Sequence, residues 1–136
     1  MTTTPPSLGY VILYVNDVAV SLAFYEQAFG LTRRFFQDDA GKAYGELETG
    51  SARVAFASLS LAQELSQQGV IAASPDGPPL GVEIALVTAD VAALFDRAVQ
   101  AGAAPVSKPD VKPWGQTVAY VRDNAGYLVE LCTPMP

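Results

Sequence analysis

The chain contains no histidine, and that absence removes more chemistry than any residue present adds. Without an imidazole, this chain cannot assemble a two-histidine, one-carboxylate iron site, a histidine general base or a Ser-His-Asp triad. Cysteine is nearly as scarce. Cys132 stands alone, which excludes an internal disulfide, a thiolate zinc cluster and a Cys-x-x-Cys redox pair, and suits a reducing compartment. On a terminal strand it reads as a small buried hydrophobe. Basic residues are outnumbered, 8 against 14 acidic, for a formal charge of −6. That balance opposes a nucleic-acid partner, whose attraction depends on cations meeting phosphates; the acidic field serves solubility or favours cationic ligands. No apolar run approaches the roughly 18 residues of a membrane-spanning helix. The Thr/Pro-rich start from Met1 to Ser7 has no apolar signal core, so the expected location is cytoplasmic, with no membrane partner.

What remains is ordinary globular material: 136 residues, 50% hydrophobic and 16% charged. This length fits a single domain, residues 1–136, against the roughly 100 to 200 residues usual for one. Tyr10–Val15 is a short apolar run of β-formers. Asp17 then caps a helix whose Val18, Leu22, Tyr25 and Phe29 recur at helical spacing before Gly30 ends it. Strands are expected over Thr32–Gln37, Lys42–Glu48 and Ala52–Ser58, separated by Asp38-Asp39-Ala40-Gly41 and by Thr49-Gly50. The order then repeats: a strand at Val82–Val87, Asp90 as cap, a helical stripe of Val91, Leu94, Phe95, Ala98 and Ala101 closed by Gly102, and strands near Val106–Val111, Thr117–Arg122 and Leu128–Cys132. Asp17 aligns with Asp90, Gly30 with Gly102, and Thr49-Gly50-Ser51 with Asn124-Ala125-Gly126, an internal duplication of a βαβββ module. The modules span residues 8–58 and 81–134. Between them, over 59–80, Ser60-Leu61-Ala62-Gln63 has capping-box form and predicts a short helix to Gln68, stopped by Gly69. The Pro/Gly-rich stretch Ala72–Leu80 then serves as a linker that joins the modules or lets them exchange between chains.

Tandem βαβββ modules carrying Leu13-Tyr14-Val15-Asn16-Asp17, Ser21-Leu22-Ala23-Phe24-Tyr25, Phe29-Gly30-Leu31, Trp114-Gly115-Gln116 and the ending Val121-Arg122-Asp123-Asn124-Ala125-Gly126-Tyr127-Leu128-Val129-Glu130-Leu131 resemble the vicinal-oxygen-chelate superfamily, which includes glyoxalase I, bleomycin-resistance proteins and extradiol dioxygenases. The resemblance runs from about Leu8 to Pro134 and implies an α+β fold in which curved mixed sheets form a cup with the helices outside. In the metal-dependent members four strand positions supply the ligands, and by the resemblance they fall on Tyr10, Ala55, Glu83 and Glu130. Glu130 sits in the family's Tyr-x-x-Glu-Leu form. This set is degenerate: a phenol, a methyl and two carboxylates, which would hold Mg²⁺ or Mn²⁺ only weakly with water completing the shell. No cofactor beyond such a weak divalent metal is expected, and extradiol dioxygenase chemistry is excluded for want of histidine.

Period-two alternation places Glu83 with Ala85 and Val87, Glu130 with Leu128 and Cys132, and Arg53 with Ala55 and Ala57. A carboxylate on a largely apolar strand requires an explanation. For Glu83 and Glu130, one is a solvated sheet face or an ion pair with Arg53; the other is ligand recognition or general-base work at a raised pKa. Tyr10 and Tyr14 read as core residues with their hydroxyls at a rim, or as pocket lining. Trp114, in a Lys-Pro-Trp-Gly loop, and Tyr120 are further pocket candidates. Phe35, Phe36 and Phe56 read as core or interface, and Arg33-Arg34 as an edge guarding against unwanted strand pairing. The favoured function is metal-free binding of a small cationic or aromatic molecule, and the resemblance to the bleomycin-resistance branch implies drug or antibiotic sequestration by a homodimer. The alternative is a glyoxalase-type lyase, isomerase or epimerase in which Glu83 or Glu130 removes a proton beside a carbonyl, with or without a weakly bound metal.

Overall fold

Each strand that the alternation marks is present in the computed structural model, which describes residues 4–136. The elements are β1 (Tyr10–Val15), α1 (Val18–Phe29), β2 (Thr32–Asp39), β3 (Lys42–Glu48), β4 (Arg53–Ser58), α2 (Leu59–Leu65), β5 (Glu83–Val87), α3 (Val91–Gln100), β6 (Ala104–Val111), β7 (Thr117–Arg122) and β8 (Leu128–Cys132). They form an α+β fold with two open four-stranded mixed sheets, ordered β1-β4-β3-β2 and β5-β8-β7-β6. In each, the first strand of a βαβββ repeat runs parallel to the last, and the remaining pairs are antiparallel. Two compact units result, one from the residues up to Leu22 together with Leu31–Val70, the other from Ala23–Gly30 together with Ile71–Pro136.

In the first unit one sheet face is apolar and closed. Leu13, Val15, Val54, Phe56, Ala43 and Leu47 are all buried, and Leu22 of α1 packs over Gly45. A Cβ at Gly45 would lie 2.5 Å from Leu22 Cδ1, so glycine lets the helix approach the sheet this closely. Asp17 caps α1 as its position predicts, accepting from Val20 N at 3.1 Å. Arg34 lies on the edge strand β2, and both Arg33 and Arg34 have partners: Arg33 stands 5.7 Å from the Phe36 ring, and Arg34 pairs with Glu46 and Glu48. Phe56 is core, whereas Phe35 and Phe36 are exposed.

The helix predicted from Ser60 to Gln68 is corrected. It runs from Leu59 to Leu65, its N-cap is Ser58, and no side chain caps it. The Ser60 hydroxyl instead donates to Gly41 O at 3.1 Å and meets Ser58 Oγ at 3.0 Å, so the capping-box pattern is spent on a tertiary contact.

The second unit buries Ile84, Val121, Val129 and Leu131 on the helical side of its sheet, with α3 packed on β7, β6 and β8. Asp90 caps α3, accepting from Ala93 N at 3.0 Å. The last turns of α1 belong here. Phe24, Tyr25 and Phe29 form edge-to-face pairs with ring centroids 5.1 to 6.1 Å apart. Tyr25 is fully buried, and its hydroxyl donates to Asp123 Oδ2 at 2.6 Å. Asp123 also accepts from Ala125 N and Tyr127 N, which shapes the turn into β8. Burial holds the Asp123 carboxyl above its usual range, while those hydrogen bonds pull it back down. Arg122 donates to the carbonyls of Gly126, Gly77 and Ser74, tying the linker down. The linker carries neither helix nor strand, as its prolines require. No helix among the described residues is long and apolar enough to cross a membrane.

Candidate functional site

Strand register gathers two acids of the second unit, Glu83 and Glu130, on its open sheet face. Ala85 of β5 faces Glu130 of β8, and Glu130 faces Tyr120 of β7, so Glu83, Glu130 and Tyr120 share one side of three adjacent strands. The Tyr120 hydroxyl donates to Glu130 Oε1 at 2.9 Å. Burial, the charge of Glu130 and a hydrogen bond shared with Glu130 hold the Glu83 carboxyl above its usual range. Two carboxyl groups can share a hydrogen bond only when one carries a proton. The same acid raises its other neighbours. The hydrogen bond to Glu130, with burial, pushes Tyr120 up to about 12, and burial followed by Glu130 raises the Cys132 thiol. No basic side chain among the described residues forms an ion pair with Glu83 or Glu130. Arg122, on the neighbouring strand, is occupied by backbone carbonyls. On the β6 side, Tyr120 also borders a hollow of about 440 Å³ with Ser107, Lys108 and Asp110.

The open face of the first unit is built on the same plan with different groups. Tyr10 pairs with Arg53 and Ile12 with Ala55 across β1 and β4, and Ala55 then faces Glu46 of β3. Arg34 reaches Glu46 at 3.4 Å and Glu48 at 3.3 Å, and the Tyr44 hydroxyl donates to Glu46 at 2.8 Å. Burial, with that hydrogen bond second, raises the Tyr44 phenol. Tyr10, Arg34, Phe35 and Glu46 line a hollow of about 540 Å³.

Of the residues singled out from the sequence, the structure brings Glu83, Glu130 and Tyr120 together on one sheet, and Tyr10, Tyr14, Arg53 and Ala55 on the face of the other. Two expectations are corrected. Tyr10 is 50% exposed rather than core, because β1 presents it on the open face. Arg53 forms no ion pair among the described residues. Trp114 is 56% exposed in the β6–β7 loop, its indole N–H donating to Gln116 Oε1 at 2.7 Å. Sequence reasoning missed Tyr44, Glu46 and the Arg34 pairing. The alternation of Tyr44 and Glu46 with buried Ala43 and Leu47 was the signal that marks them as facing outward.

The donor set fits a firmly held ion poorly. No group of three or more His, Cys, Asp or Glu side chains suited to a metal occurs among the described residues, and the Ala55 position supplies a methyl. The face of the second unit is suited to accept hydrogen bonds, to hold a cation electrostatically, or to exchange a proton.

A family model described as the Glyoxalase/Bleomycin resistance protein/Dioxygenase superfamily matches residues 7–131. Similar solved structures include a glyoxalase-related enzyme from Fulvimarina pelagi, 24% identical, covering 94% of this chain and 88% of that one with a TM-score of 0.76. Another is a glyoxalase/bleomycin resistance protein/dioxygenase family enzyme from Burkholderia phytofirmans PsJN, 22% identical, with coverages of 94% and 98% and a TM-score of 0.74. TioX from Micromonospora sp. ML1 is 25% identical over 94% of this chain and 98% of that one, with a TM-score of 0.69. No curated protein matches the chain by sequence.

Proposed function

Because this chain belongs to the Glyoxalase/Bleomycin resistance protein/Dioxygenase superfamily, we propose that it binds a small cationic, aromatic molecule without a resident metal, on the sheet face that carries Glu83, Glu130 and Tyr120. The observation that carries this reading is the pair Glu83 and Glu130 on adjacent strands, with Glu130 accepting from Tyr120 and neither acid having a basic partner among the described residues. A cation supplies the missing counter-charge, and the Tyr120 ring offers it a π face. Sequestration of a drug or antibiotic in the cytoplasm would use this chemistry with no reacting group. The exposed Leu65, Val70 and Ile71 support a homodimer that covers apolar surface. Light scattering on the eluted protein measures that directly.

The test is fluorescence titration with 1-methylquinolinium against its uncharged isostere 1-methylnaphthalene. The cation should bind about tenfold more tightly, and Glu83→Gln/Glu130→Gln should remove the difference. Equal binding of the two probes to the wild type would refute the reading.

A second reading rests on the raised Glu83 carboxyl, which is a stronger base than an ordinary glutamate. A lyase, isomerase or epimerase would use Glu83 or Glu130 to remove a proton beside a carbonyl. Exchange of a substrate α-proton for deuterium, assayed with and without added Mn²⁺ and lost in Glu83→Gln, would favour this reading over binding alone.

A further inference from the structure

We propose that the open face of the first sheet holds a subsite for a planar carboxylate with an aromatic body, gripped by Arg53 and Tyr10 beside the Phe35 hollow. The argument begins with how the charges on that face are used. Glu46 and Glu48 both turn to Arg34, at 3.4 and 3.3 Å, and Glu46 also accepts from Tyr44. Arg53 is left over. Its Nε is buried without a hydrogen-bond partner, and it makes no ion pair among the described residues. A guanidinium partly withdrawn from water and given no acceptor is costly, and a carboxylate offsets that cost through two parallel N–H···O bonds. Reaching Nε takes a rotamer change of Arg53, which its long side chain allows.

Its neighbours select the rest of the ligand. Tyr10 is the register partner of Arg53, is half exposed, and its hydroxyl makes no hydrogen bond among the described residues, so it is free to donate to the same carboxylate. Tyr10 also lines the hollow of about 540 Å³ in which Phe35 lies, its ring 6.3 Å from that of Tyr44. That hollow has room for a ring and presents aromatic edges to it. The two acids of the face oppose an anion, but Arg34 stands within ion-pair distance of both. This subsite stands independently of the acidic face on the second sheet.

The test titrates the full chain with benzoate and with benzamide, followed by calorimetry and by amide chemical shifts. Benzoate should bind about tenfold more tightly than benzamide, with shifts concentrated on β1 and β4, and Arg53→Gln should reduce benzoate to the benzamide level. Lys42→Gln, a surface change outside the subsite, should leave benzoate binding unaltered. Equal affinity of the two probes for the wild type, shifts centred on β5 and β8, or full benzoate affinity in folded Arg53→Gln would each overturn the proposal. If Arg53→Gln fails to fold, the wild-type probe pair and Tyr10→Phe, which should weaken benzoate more than benzamide, still decide it.

Discussion

The two open sheet faces share a backbone plan and differ in how they settle their charges. In each, the first and last strands are parallel with the same offset, so that Ile12 meets Ala55 as Ala85 meets Glu130. On the first face, two acids are matched by Arg34 and one guanidinium is left over. On the second, two acids on adjacent strands share one face, a phenol donates to one of them, and the nearby Arg122 is spent on the linker. The repeat thus fixes where side chains stand, while their identity makes one face a carboxylate receptor and the other a cation receptor in the readings proposed above.

The sharpest way to break the comparison uses two equivalent turns. Gly50 and Gly126 precede β4 and β8 with nearly equal backbone angles, φ 98° and 97°. A Cβ on Gly50 meets nothing within 4 Å, whereas one on Gly126 would lie 2.5 Å from Ser74 C and 2.6 Å from its carbonyl oxygen. Gly50→Ala should therefore cost only the left-handed strain, about 1 kcal/mol, and Gly126→Ala upwards of about 3 kcal/mol because backbone must move. Urea denaturation measures both, and equal losses would mean that the linker does not pack on the second turn.

A smaller effect is expected from Tyr25→Phe, which removes the hydroxyl from Asp123 while the backbone donors of Ala125 and Tyr127 remain. The loss should be about 1 to 2 kcal/mol, since a buried carboxyl keeps only part of its hydrogen bonding. The turn of the first unit relies instead on the Thr49 hydroxyl, bonded to Val54 N and Ala52 O at 2.9 Å, and should be indifferent to this change. Hydrogen exchange at Val54 and Tyr127 distinguishes the two turns.

The smallest effect concerns pH. Glu83 is raised from the ordinary 4.5 in the folded chain, so the folded protein binds that proton more tightly than the unfolded one. The resulting stability is fully present below the unfolded value and is lost as pH rises through the raised folded value. Glu83→Gln should therefore gain on wild type as pH rises from the ordinary value through the raised folded one, by a few tenths of a kcal/mol because the side chain is solvent-screened. A gap that narrows with rising pH would show that Glu83 is not held in its protonated form.

Much of this molecule was legible in local pattern. The alternation of Tyr10, Ile12 and Tyr14 with buried Leu13 and Val15, and the caps at Asp17 and Asp90, are decided by neighbours within a few residues, which is why strand and helix positions could be read directly. The capping-box pattern at Ser60 misled for the opposite reason: the hydroxyl found Gly41 O, a partner 19 residues away.

The amino-acid sequence by itself therefore determined the element order, the duplicated βαβββ plan, the faces on which Glu83, Glu130 and Arg53 stand, and the impossibility of any histidine-based site. Only the tertiary structure decided that Tyr25 would reach Asp123 across 98 residues, that Arg34 rather than Arg53 would hold the acids of the first sheet, and that Glu83 would be raised by burial and by Glu130. Helical and strand periodicity come from short-range backbone geometry, whereas hydrogen-bond partners and pKa values depend on burial and on which distant side chains folding brings within a few ångströms.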